Sequence, residues 1–189
     1  MVVWLVGLSG SGKSSIAGVL AELWRERDPR VVLLDGDALR EAVDGPHGAL
    51  AFTREARIAR EERIAALCAA LDRDGHTVIC AVNSIDQRIR DANRVRFEAY
   101  FEVFVSTPLD VCLVRDREDL YLEALRGNVQ DVVGLDLAYE APRSPDMIVD
   151  NGHPAAEPAL LARRILNAAA RKRRPHHAAP APARQEAVA

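Results

Sequence analysis

The sequence predicts a three-layer α/β fold, a five-stranded parallel sheet with helices on both faces, and three observations carry that reading. Gly7-Leu8-Ser9-Gly10-Ser11-Gly12-Lys13-Ser14 fills every fixed position of G-x-x-x-x-G-K-[ST]. It follows a short apolar run, Val2-Val3-Trp4-Leu5-Val6, and opens a helical pattern from Ser15 to Arg27. Apolar strand-like runs then alternate with helical stretches along the chain, which is the pattern of a parallel sheet. Together these predict the P-loop NTPase form of the fold.

In that setting Gly7, Gly10 and Gly12 are free to take backbone angles closed to other residues, so successive N–H groups turn inward around phosphate oxygens at the positive end of the helix. Lys13 offers a mobile point charge to the β- and γ-phosphates, and the Ser14 hydroxyl is placed to ligate Mg²⁺. Lys occurs only at 13 and 172 in a chain whose basic residues are otherwise Arg. A compact ammonium is thus kept at the position where a planar fork is a poor replacement.

At 189 residues the chain suits one α/β domain with a proper core. Apolar residues make up 49% and charged ones 28%, with a net charge of −3 and a pI near 6.0, so no basic excess points to nucleic acid. The first residues already read as core strand, and no apolar run approaches membrane-spanning length, so a cytoplasmic protein without membrane contact is expected. Cys68, Cys80 and Cys112 lack paired C-x-x-C spacing and read as reduced thiols.

After the first helix, Arg27–Arg30 forms a turn and Val31–Leu34 a buried strand ending at Asp35-Gly36-Asp37. Carboxylates at the carboxyl end of a strand beside a phosphate loop sit at the crevice where open α/β sheets bind ligands. Asp37 is the expected base for an attacking hydroxyl and Asp35 the expected Mg²⁺ or orienting group, though the two roles are interchangeable at this level. A short helix from Ala38 carries Arg40, and Asp44–Gly48 breaks it. Phe52-Thr53 opens a long helix to about Asp72 with Thr53 as N-cap. Arg54, Arg57, Arg60 and Arg63 share its polar face, and Arg57 with Arg60 can grip an anionic substrate. Glu55, Glu61 and Glu62 lie among them, so a solvated face of intrahelical pairs is the alternative.

Thr77–Val82 is the third strand, with Asn83-Ser84 at its ligand edge. A helix over about Asp86–Glu98, a strand over Tyr100–Val105 and a helix begun at Pro108 come next. The charged stretch from Arg115 to about residue 140 is where a mobile lid belongs. Asp146–Asp150 is the fifth strand and Pro154–Arg171 the closing helix. The domain is expected over residues 1–173, and the alanine- and proline-rich tail over 174–189 is expected to be disordered.

With its motifs lined up, the chain resembles adenylylsulfate kinases from about Val2 to Leu166. The resemblance rests on GLSGSGKSS at 7–15, LDGDALR at 34–40, FVSTPLDVCLVRD at 104–116, LY at 120–121 and GLDLAYEAP at 134–142. It implies transfer of the γ-phosphoryl of MgATP to the 3′-hydroxyl of adenosine 5′-phosphosulfate (APS), giving PAPS, and a homodimer. By the same resemblance Gly7 to Ser15 would hold the ATP phosphates and Arg115 would pack against the ATP adenine. Asp35 and Asp37 match the family's D-G-D, Arg40 and Arg57 its phosphosulfate-binding arginines, Phe52 an adenine-stacking aromatic, and Ser84 the serine of I-S-P.

The departures cluster on the acceptor side. Arg60 stands for the usual asparagine, Asn83-Ser84-Ile85-Asp86 for I-S-P-Y, Glu118 for a lid lysine, and Val132 for a second stacking phenylalanine. A changed acceptor would produce this pattern, because phosphoryl transfer needs the donor site unchanged. The second expectation is therefore the same chemistry on another nucleotide or small-molecule hydroxyl, in secondary metabolism or glycan assembly. A GTPase reading of Asn83–Asp86 fails for want of the N-K-x-D lysine. A silent nucleotide-binding subunit is disfavoured by the retention of Lys13, Ser14, Asp35 and Asp37.

Overall fold

The computed structural model describes residues 1–40, 42–43, 53–116, 119–152 and 156–172. Phe52, the break expected at 44–48, Glu118 and the 174–189 tail lie outside the described residues. Five strands form one sheet: β1 (Val2–Val6), β2 (Val31–Asp35), β3 (Thr77–Val82), β4 (Tyr100–Ser106) and β5 (Met147–Asp150). Their order is β2-β3-β1-β4-β5 and every pairing is parallel. The chain moves to one side of β1 for β2 and β3 and to the other for β4 and β5. The loop after β1 therefore sits at the switch point, where neighbouring connections diverge and leave a crevice.

The helices are α1 (Lys13–Arg25), α2 (Arg54–Arg73), α3 (Gln87–Arg96), α4 (Leu109–Val114), α5 (Leu120–Leu125) and α6 (Pro158–Lys172). Alternation along each strand separates two cores. Val3 and Leu5 of β1 pack with Ile16, Leu20 and Trp24 of α1 and with Leu161 and Ile165 of α6. Val2, Trp4 and Val6 pack on the opposite face with Ile64 and Cys68 of α2. Cys68, Cys80 and Cys112 are buried and unbridged.

Caps mark the helix ends. The Thr53 side chain accepts from the backbone N–H of Ala56 at 3.3 Å, and Gly75 at φ 84° closes α2. Asp86 caps α3 through the backbone N–H of Arg88 at 2.9 Å. α1 begins at Lys13 rather than Ser15 because left-handed Gly12 already turns the chain into the helix. Pro108 is the N-cap of α4, one place earlier than a first-turn position. No helix among the described residues is long and apolar enough to cross a membrane.

Candidate active site

All five strands point their carboxyl ends at one edge, and the site is built there. The carbonyls of Leu8, Ser9 and Ser11 are held by side-chain donors, three of them from far along the chain. Asn151 Nδ2 and Thr107 Oγ1 donate to the Ser11 carbonyl at 2.8 and 3.1 Å, the Tyr121 hydroxyl donates to the Ser9 carbonyl at 3.1 Å, and Lys13 Nζ donates to the Leu8 carbonyl at 2.7 Å. Tying these carbonyls back into the protein keeps their negative ends away from an incoming anion. Gly10 and Gly12 are required by contact as well as by angle. At φ 73° and 92°, an added Cβ would lie 2.8 Å from the Cys112 carbonyl oxygen and 2.5 Å from Asn151 Nδ2.

Burial pushes the Lys13 ammonium down to about 8, against the opposing pull of Asp37 and Asp35. Beside it opens a cleft of about 510 Å³ lined by Ser9, Gly10, Gly12, Ser14, Ser15, Asp37 and Arg115. Leu8 instead turns its side chain to the small core around Cys112 and Tyr121, and Ser11 is fully buried. Arg115 donates to the carbonyls of Asn151 and Gly152 at 2.8 and 3.1 Å, which fixes its guanidinium on the cleft wall.

The two carboxylates of the D-G-D turn differ in their surroundings. Asp35 Oδ1 accepts from the backbone N–H groups of Asp37 and Ala38 at 3.0 and 3.3 Å, shaping the turn. Asp37 is exposed and accepts from Arg40 Nη2 at 2.7 Å. A second recess of about 110 Å³ is lined by Ser9, Asp37, Arg40, Arg57, Asn83 and Val133. Ser9 and Asp37 thus belong to both cavities. Arg57 donates to the Asp131 carbonyl at 2.9 Å, and burial together with Arg60 and Arg40 lowers its pKa, as three guanidinium groups gathered for an anion would.

Arg60 and Ser84 lie deeper, in a recess of about 50 Å³ that shares Asp37, Arg57 and Asn83 with the second cavity. The Ser84 hydroxyl donates to Glu61, and both residues are buried. Val132, in the place of the second aromatic, is buried beside Cys112 and Tyr121, and its neighbour Val133 lines the recess.

The sequence model described as adenylylsulphate kinase matches residues 1–150. The chain belongs to the adenylylsulfate kinase family. It is 39% identical over 150 residues to the adenylyl-sulfate kinase of Paraburkholderia xenovorans, covering 79% of this chain and 82% of that one. Over 159 residues it is 37% identical to the probable bifunctional SAT/APS kinase 2 of Sorangium cellulosum, spanning 84% of this chain and 27% of that longer protein. The Mycobacterium tuberculosis APS kinase CysC, solved in complex with AMPPNP and APS, superposes with a TM-score of 0.79 at 31% identity, over 88% of this chain and 95% of that one.

Two residues of the site escape a motif reading. Asn151 anchors the phosphate loop from 140 positions away, and its sole local signal is its place directly after the last strand. Glu61 reads as one more charge on a mixed helix face, yet it is 5% exposed.

Proposed function

We propose that the chain is an ATP-dependent adenylylsulfate kinase that transfers the γ-phosphoryl group of MgATP to the 3′-hydroxyl of APS, giving PAPS and ADP in the cytoplasm. The observation that carries this is Asp37, common to the wall of the phosphate-loop cleft and of the guanidinium-lined recess. An acceptor gripped in the second cavity presents its hydroxyl to a nucleotide held in the first.

In the reaction the bond between the γ-phosphorus and the β–γ bridging oxygen breaks as the acceptor's 3′-oxygen bonds to phosphorus. The hydroxyl proton passes to the Asp37 carboxylate. Lys13 and the loop amides of Gly7 to Ser15 hold the β- and γ-phosphates, and Arg115 borders the nucleotide. Arg40, Arg57 and Arg60 bind the phosphosulfate, with Asn83 and Ser84 on the far wall.

Mg²⁺ fits this donor set. Among the described residues no group of three His, Cys, Asp or Glu holds a metal unaided, and exposed Ser14 and half-buried Asp35 offer hard oxygens beside the phosphate cradle. An ion held there with ATP would supply charge neutralisation to the phosphates. Asp35 keeps one oxygen for it, the other being committed to the turn.

Arg60, Glu61 and Asn83 in the acceptor wall favour a second reading, the same transfer to another anionic nucleotide or small-molecule hydroxyl. Coupled ADP-release assays over a panel of acceptors separate the two. APS-dependent turnover above the ATPase background is expected, and its absence alongside turnover of another alcohol would replace the first reading with the second. A homodimer is proposed on family resemblance and is checked by sedimentation.

A further inference from the structure

The deep recess carries a feature that phosphosulfate binding does not use. Its apolar side is Ile64, Val82 and Ile85, and its polar side adds Arg60, Glu61 and Ser84 to the groups it shares with the acceptor cavity. Glu61 lies one helical turn beyond Arg57 on α2, so carboxyl and guanidinium face the same space. The carboxyl is fastened in place: it accepts from the Ser84 hydroxyl, Ser84 holds a left-handed backbone at φ 50°, and the Ser84 carbonyl accepts from Arg90, which is fully buried. These contacts on both sides hold the carboxyl in a fixed place in the recess wall.

We propose that Glu61 is a specificity-determining residue of the acceptor recess: an anionic acceptor binds when Glu61 carries a proton, so at alkaline pH, where the free protein has lost that proton, acceptor binding takes one up from solvent at this side chain. The inference rests on the reading of this recess as the acceptor site. An ionised Glu61 would set a negative charge in the same water-poor wall that receives the anion, whereas the neutral acid removes that repulsion and gains an O–H donor.

Burial pushes the Glu61 carboxyl up to about 8, outweighing the Ser84 hydrogen bond and Arg90, while Asp86 and Glu102 push it the same way. The other groups facing it are accounted for. Arg57 and Arg60 on its own helix line the same recess, and Asp86 is held down to about 2 by Arg88. Cys80 on β3 and Tyr139 feel Glu61 and are both raised, chiefly by burial. Asp37 stands across the recess, and Lys13, which also titrates near 8, belongs to the nucleotide side.

The test is the pH dependence of the APS KM at saturating MgATP, paired with calorimetry of APS binding in two buffers of different ionisation enthalpy. In the wild type the APS KM is expected to climb above pH 8 with a limiting slope of about tenfold per pH unit, and binding at pH 8.5 to take up a proton. Glu61→Gln is expected to flatten that climb and abolish the uptake while the ATP KM keeps its own pH profile. Equal slopes in the two proteins, or no buffer-dependent enthalpy in the wild type, would overturn the proposal. If the Gln variant does not fold, Ser84→Ala serves: losing a bond that favours the ionised form should move the midpoint to higher pH, and an unmoved midpoint overturns the idea. Should the wild type neither bind nor turn over APS, the functional reading fails. The same calorimetry with inorganic sulfate then decides on Glu61, where proton uptake by the wild type alone supports it, and no binding or no uptake overturns it.

Discussion

Lys13 titrates within reach of ordinary assay conditions because burial strips its ammonium of water. A lowered lysine pKa means the free protein loses this positive charge as pH rises past about 8, so affinity for MgATP is expected to fall by up to roughly thirtyfold between pH 7 and 9.5. Calorimetric titration at the two pH values checks it. Lys13→Ala should abolish turnover while circular dichroism stays that of the folded chain. Glu61 carries the opposite sign of linkage. Its folded pKa lies above the unfolded value, so folded protein holds a proton that unfolded chain gives up, and stability is lost as pH rises from about 4.5 to about 8. Glu61→Gln should therefore be more stable than the wild type at pH 8.5, by at most about 5 kcal/mol, with the gap shrinking toward pH 5, as read by urea unfolding.

Among the elements, the phosphate loop depends on the residue directly after β5. Asn151→Ala removes the 2.8 Å bond to the Ser11 carbonyl and should raise the ATP KM about two- to tenfold with the APS KM little changed. Gly12→Ala should act more severely, since its Cβ would meet Asn151 Nδ2 at 2.5 Å with φ at 92°, and a lower Tm together with weaker ATP binding is the expected result. These dependences also mark where sequence reading stops. The strands were legible because continuous apolar runs such as Thr77–Val82 have to be buried on both faces, and the loop because its glycines and lysine are fixed by phosphate chemistry. The grip of Asn151 on Ser11 depends on the sheet order, which no local pattern encodes. The same holds for Glu61, whose neighbours along α2 are those of a wet helix face and whose burial comes from the packing of β3 and the turn at Ser84.

At the scale of the molecule, β5 is an edge strand, and Asp146 just before it ties three layers together. Its carboxylate accepts from the backbone N–H of Glu102 at 2.9 Å, from Arg94 at 3.2 Å and from Lys172, joining β4, α3 and α6. Burial raises its pKa, but the Glu102 amide and the two cations outweigh that and leave it below the ordinary range. A depressed carboxylate contributes stability above its unfolded pKa and loses it as pH falls through the folded one. Asp146→Asn is expected to cost about 1–3 kcal/mol at pH 7, with the difference from wild type closing below about pH 4, followed by urea unfolding across that range.

Because Ser9 and Asp37 border the cleft beside Lys13 and the guanidinium-lined recess alike, the two chambers are separated by little more than those side chains. A bisubstrate inhibitor, with a short tether joining an adenosine polyphosphate to a sulfate-like head, would cross that partition without rearranging the sheet. Engaging both halves at once should gain it roughly 10²–10⁴-fold over either fragment.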